Sequence, residues 1–227
     1  MNNSLSVSLH ASPEQLVRLK ALQASFAEVC NALAPIVQQT RCWQRVTLHH
    51  LAYRDLRARF PQIGSQMVCN AIYSVSRSCR VVFQHPQSPW NVARDPSRPL
   101  PLLRFLSGSP VYFDRHTLSL KENSLSMYTL DGRMRFQVTI SAADQKRFRE
   151  DKLREVVLSE TLAGFQLTFL LVNANVQEGA ISDSEHLELP EYVVVEAADA
   201  LPNRNSWPSI EGAAAALAPE APGKIGL

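Results

Sequence analysis

The sequence predicts an α+β chain, a small antiparallel β-barrel carrying an inserted helical lobe of about three helices. Three observations carry that expectation. A short alternating segment opens the chain, three stretches of helical periodicity follow, and a proline-rich stretch separates these from a run of period-two segments. A lone opening strand is not stable by itself, so it is expected to join the later sheet, which makes the helices an insertion between it and the rest of the barrel. The expected divisions are 1–11, first strand; 12–85, helical lobe; 86–104, proline-rich loop; 105–175, barrel; and 176–227, an acidic Ala/Pro-rich tail, largely disordered.

The opening segment, residues 4–10, places Leu5, Val7 and Leu9 on one face. Ser12-Pro13-Glu14 then supplies an N-cap, a first-turn proline and an acid at the positive end of a helix dipole. Leu19, Leu22, Phe26, Val29, Leu33, Ile36 and Val37 continue at helical spacing and predict a helix over 13–38. A second helix is predicted over 47–59, with Leu48, Leu51, Ala52 and Leu56 inward. A third is predicted over 64–83, with Met67, Ala71, Ile72 and Val75 on one face and Gln66, Asn70, Ser74, Arg77 and Ser78 on another. Five prolines between 84 and 101 predict a loop. Residues 117–140 alternate with period two, broken at Lys121-Glu122-Asn123 and at Asp131-Gly132, the latter a hairpin signal. A short charged helix over 142–153, strands over 154–159 and 164–173, and one strand at 192–195 complete the reading. Short strands of this kind fit a small barrel or a sandwich.

Net charge is +2, but its distribution is uneven. Residues 1–158 hold 21 Lys and Arg against 11 Asp and Glu, whereas residues 159–227 hold 2 against 10. A basic body with an acidic end is the asymmetry expected of a polyanion binder, the acidic end either solvating the chain or shielding the basic face. Cys30, Cys42, Cys69 and Cys79 form no CxxC pair and have no histidine at zinc-finger spacing, so they read as free thiols in a reducing compartment. The N-terminus lacks a signal-peptide pattern and no apolar run reaches membrane-spanning length, so a cytoplasmic location is expected. The six histidines make no HExxH pattern, and neither a Gly-rich phosphate loop nor a GxSxG elbow is present; no cofactor and no metal site are expected.

Residues 41–104 contain ten arginines, no lysine, and only Asp55 and Asp95 as acids. Guanidinium forks suit phosphate oxygens, so Arg54, Arg57, Arg77 and Arg80, with Arg104 and Lys121, are the candidate nucleic-acid backbone contacts; a solvated basic surface is the bland alternative. Tyr53 and Tyr73 are the candidates for base stacking, against ordinary core packing.

Four stretches give the chain a resemblance. They are the opening strand with Ser12-Pro13-Glu14-Gln15, FAEVCN around Phe26, Cys30 and Asn31, LHHLAYRDLRARFPQIGSQMVCNAIYSV at 48–75, and PVYFDRHTLSLKENSLSMYTLDGRMRF at 110–136. Taken together over residues 4–173, they resemble the N-terminal half of the TnpB family, the transposon-encoded RNA-guided nucleases related to type V CRISPR effectors. The resemblance implies a wedge domain formed by the barrel and a recognition lobe formed by the helices, gripping guide RNA and double-stranded target DNA. It also implies that Ser65, Gln66, Cys69 and Asn70, with Asp114 and Arg115, approach the DNA motif beside the target. Gln and Asn side chains suit adenine edges; a polar helix face and a strand-entry turn with a surface ion pair are the alternatives.

The sequence departs from that family after Asn173. The RuvC-like nuclease of the family brings several carboxylates together around two Mg²⁺ ions. Here YVVVEAADAL offers only Glu196 and Asp199, without the family's glycines, and 28 residues follow Asp199. The expectation is therefore a binding module without a catalytic site of its own, with a separate nuclease subunit as one conceivable partner. Rival readings are one half of a split nuclease, a protein-interaction relic and a guide-free DNA-binding regulator.

Overall fold

The computed structural model describes residues 4–121, 123–173 and 191–196. The described chain is mixed α and β, with antiparallel sheets. Strand β1 (Ser4–Ser8) leads into helices α1 (Pro13–Thr40), α2 (Arg45–Arg59) and α3 (Ser65–Gln84). Strands β2 (Leu102–Phe105), β3 (Val111–Phe113), β4 (Leu118–Lys121), β5 (Ser124–Thr129) and β6 (Gly132–Gln137) follow. Helix α4 (Ala142–Glu150), strands β7 (Asp151–Thr161) and β8 (Gly164–Asn173), and β9 (Val193–Glu196) complete the order.

The opening strand does join the later sheet: β1 pairs antiparallel with β8, Ser4 opposite Leu170 and Ser8 opposite Gln166. All three long helices thus lie between two neighbouring strands of one sheet, ordered β1-β8-β7-β3. The described strands form three separate hydrogen-bonded sheets, the others being β2-β9 and β4-β5-β6, and none of them closes on itself. The loop expected over 86–104 ends early, because Leu103 and Phe105 are buried and Leu102–Phe105 pairs with Val193–Glu196. The charged helix expected over 142–153 stops at Glu150, where Asp151 begins the long strand β7. The tail expected over 176–227 lies outside the described residues except for 191–196, which are ordered as β9 and its lead-in.

Helix α1 starts on a reciprocal capping box: Ser12 N–H donates to Gln15 Oε1 at 2.9 Å and Gln15 N–H donates to Ser12 Oγ at 3.2 Å. Its apolar face buries Leu19, Leu22, Phe26, Val29, Leu33 and Val37. Amide side chains on α1 hold neighbouring backbone. Asn31 bonds Phe105 in both directions, its Nδ2–H to Phe105 O at 2.9 Å and Phe105 N–H to its Oδ1 at 2.7 Å. Gln38 donates to Leu100 O and Gln23 to Gly108 O.

Two hairpins use one local solution. Gly132 (φ 92°) and Gly164 (φ 113°) each follow a tight turn, and Thr129 and Thr161 hydroxyls donate to their carbonyls at 2.8 Å. An L-residue with a side chain is strained at such φ, which accounts for glycine at both places.

Candidate nucleic-acid interface

Helix α2 buries only Leu48, Ala52 and Leu56 as a narrow stripe against α3 and α1. The rest of its surface is outward and basic, with Arg45, His50, Arg54 and Arg59 exposed and Asp55 as its only acid. A helix so thinly apolar is held by its neighbours, and its charged side faces solvent. Arg54 stands in the middle of that side, whereas Arg57 turns back to donate to Ile63 O and closes the α2–α3 turn. Tyr53 is half-buried with one face covered by His49 at 4.6 Å.

Helix α3 is more deeply set than its polar residues imply. Asn70, Ser74, Ser76 and Ser78 are buried, so the face read as polar points inward. Small hydroxyls allow close approach of the packed elements, and two of these buried groups bond to neighbouring backbone: Asn70 Nδ2–H donates to Tyr112 O at 2.9 Å and Ser76 Oγ to Trp43 O at 2.7 Å. Asn70 is therefore a strut between α3 and β3 and presents no edge to a base. Ser65 is exposed at the start of α3, and Gln66 and Cys69 are half-buried. Burial pushes the Cys69 thiol up from its usual range.

The two stretches expected beside the DNA motif come together. Gln66 Nε2–H donates to Asp114 Oδ2 at 2.6 Å, while Asp114 Oδ1 accepts from the backbone N–H groups of His116 and Thr117 at 3.0 Å. Asp114 thus caps its own turn and fixes Gln66, whose amide oxygen remains as an acceptor. Arg115 is exposed beside it, its Nε–H 3.4 Å from His116 Nε2.

The remaining candidates divide. Arg77 Nη1 lies 2.8 Å from Glu155 Oε1, and the Tyr73 hydroxyl donates to Glu155 Oε2 at 2.9 Å. Tyr73 also meets the Tyr112 ring edge-on, with the Arg45 guanidinium 5.2 Å from its centroid. Burial raises the Tyr73 phenol to about 12, with the Glu155 charge adding to the shift. Arg77 and Tyr73 are thereby committed to an internal polar cluster at the bulge in β7, between Leu153 and Glu155. Arg80 is half-buried. Arg104 is exposed on β2 and pairs with Glu196 of β9 at 3.4 Å. Lys121 is exposed at the end of β4.

No protein-family model matches the chain, and no curated protein matches it significantly. Among the described residues, no group of three or more His, Cys, Asp or Glu is placed to hold a metal ion, and no helix is long and apolar enough to cross a membrane.

Several of the arginines between 41 and 104 serve the fold. Arg41 donates to Pro96 O and Arg98 O, Arg94 to Pro86 O, and Arg98 to Pro89 O while lying 4.0 Å over the Trp90 ring. These forks tie down a proline-rich segment that has few backbone donors of its own. Arg45 and Arg59, on the exposed side of α2, and Arg133 and Arg135, two apart on β6, are exposed cations that the sequence reading passed over. The period-two alternation of β6 was the signal for the second pair.

Proposed function

We propose that this chain is the nucleic-acid-binding module of an RNA-guided system of transposon or CRISPR type, binding guide RNA and target DNA without cutting either. The supporting observation is the 2.6 Å bond from Gln66 to Asp114. It joins two stretches, 44 or more residues apart in sequence, that the resemblance to TnpB proteins marks as neighbours of the target DNA. Arg45 and Arg57 of α2 lie close enough to Cys69, in the first of these stretches, to act on its thiol electrostatically, as Asp114 does. In this reading Arg45, Arg54 and Arg59 hold phosphates, the Gln66 amide and Arg115 face base edges, and guide pairing supplies sequence recognition. The β-strands form a wedge-like unit and α1–α3 the recognition lobe.

The test is to purify the full chain from its native host, sequence any RNA that accompanies it, and measure duplex binding with and without that RNA across salt. A discrete RNA that raises duplex affinity, with affinity falling steeply as salt rises, supports the proposal. Tight binding to one duplex sequence with no RNA present would establish a guide-free regulator instead.

A further inference from the structure

The β4-β5-β6 sheet has one face inward and one outward. Inward lie Leu118, Leu125, Met127, Met134 and Phe136, all buried. The outward face presents Lys121, Ser126, Tyr128, Arg133, Arg135 and Gln137, brought side by side by the register: Tyr128 stands opposite Arg133, Ser126 opposite Arg135 and Ser124 opposite Gln137. Among the described residues this face carries no carboxylate. Asp131, in the adjoining turn, is directed to Arg18 at 3.3 Å.

The central aromatic is prepared for stacking. The Arg133 guanidinium lies 4.3 Å from the Tyr128 ring centroid, and its Nη1–H donates to Ser126 Oγ at 3.1 Å, which holds the ring and the cation in a fixed pair. Tyr128 keeps 43% of its surface exposed, although a ring on a small sheet gains by burial. At the edge strand β6 the face adjoins a cleft of about 590 Å³, lined by the polar side chains of His10, Gln15, Asn123, Arg135, Gln137 and Thr139. Cations spaced along a strand, an exposed ring among them and a polar recess at the edge match the alternating phosphates and bases of an unpaired chain. A duplex keeps its bases stacked inside and offers none to Tyr128.

We propose that the outward face of this sheet binds single-stranded nucleic acid, with Lys121, Arg133 and Arg135 on phosphates, Tyr128 stacked on a base, and the cleft beside β6 taking the next base. This face is separate from α2 and α3, and the inference stands whether or not those helices carry a duplex.

The test is fluorescence anisotropy of the full chain with a labelled 20-nucleotide RNA of mixed sequence and, separately, a 20-base-pair DNA duplex. Tyr128→Ala is expected to weaken single-strand binding about 10-fold. Arg133→Gln with Arg135→Gln is expected to lower the salt slope for the single strand by about 1.4, from roughly 0.7 per phosphate contact. Arg133→Lys with Arg135→Lys keeps most of that slope, and duplex affinity stays within about two-fold throughout. Thermal unfolding of each variant within about 2 °C of the parent confirms that the sheet is intact, as these exposed positions allow. Unchanged single-strand affinity in folded variants, or equal losses for the single strand and the duplex, would overturn the assignment.

Discussion

Replacing Arg77 by Met separates a structural arginine from a phosphate-gripping one. Glu155 is 9% exposed at the side chain and is held by Arg77 at 2.8 Å and the Tyr73 hydroxyl at 2.9 Å. Removing one partner of a buried ion pair costs about 3–5 kcal/mol, because the other charge is left in a poorly solvated place. Arg77 itself is 43% exposed, so water screens part of the pair and the expected cost falls to about 2 kcal/mol. For a chain of this size that corresponds to a melting temperature lower by about 4–8 °C. Urea unfolding followed by far-ultraviolet circular dichroism measures it directly. Arg77→Met with Glu155→Gln recovers at least half of the loss, since the stranded charge is gone and the amide oxygen still accepts from Tyr73. Nucleic-acid affinity of the folded Arg77→Met chain stays within about two-fold of the parent. A loss below about 0.5 kcal/mol, a double variant no better than the single, or a large fall in affinity without a fall in stability would contradict this structural role for Arg77.

Arg54→Ala and Arg45→Ala each lower the salt slope for duplex binding by about 0.9 with little change in melting temperature, measured by anisotropy between about 50 and 200 mM salt. Asn31→Ala destabilises the chain by about 2 kcal/mol, because it orphans the N–H and the carbonyl of Phe105 at once, and urea unfolding reads it. Tyr73, with a phenol near 12, and Tyr112 and Tyr192, also pushed up by burial, bind their protons more tightly folded than unfolded. Their contribution to stability is complete below about pH 10, the unfolded tyrosine value, and is lost as pH rises through the folded values. Phenolate absorbance from these three rings is therefore expected to rise together with unfolding above pH 10, and ionisation of all three in a folded chain would contradict this.

Much of the architecture is legible from local pattern. The Ser12-Pro13-Glu14-Gln15 start yields a capped helix, and the Leu5/Val7/Leu9 alternation yields a strand whose need for a partner is met by β8. Asp131-Gly132 yields a hairpin, although the turn is Leu130-Asp131 and Gly132 opens β6 at positive φ. What escaped the sequence depends on distant partners. Leu102–Phe105 is too short for its period to register, and it is a strand only because Val193–Glu196 returns to pair with it. Asn70, Ser74 and Ser78 resemble a surface stripe until α3 is seen wedged among α1, α2 and β3. Arg77 has the same composition and spacing as a phosphate ligand, and only the bulge in β7 delivers Glu155 to it. The site was half legible for the same reason. Gln66 and Asp114 stand out in the sequence as separate candidates and do meet, whereas Arg133 and Arg135 acquire meaning only when the register sets Tyr128 and Ser126 across from them.

Binding of nucleic acid chiefly through phosphates, as proposed, is read from affinity for a nucleic-acid ligand as a function of salt, measured on the full chain with whatever RNA co-purifies. The expected result is a discrete bound RNA and a straight line of log affinity against log salt with a slope steeper than about −3, as at least three to four phosphate contacts require. Absence of bound RNA together with a flat salt response would contradict it.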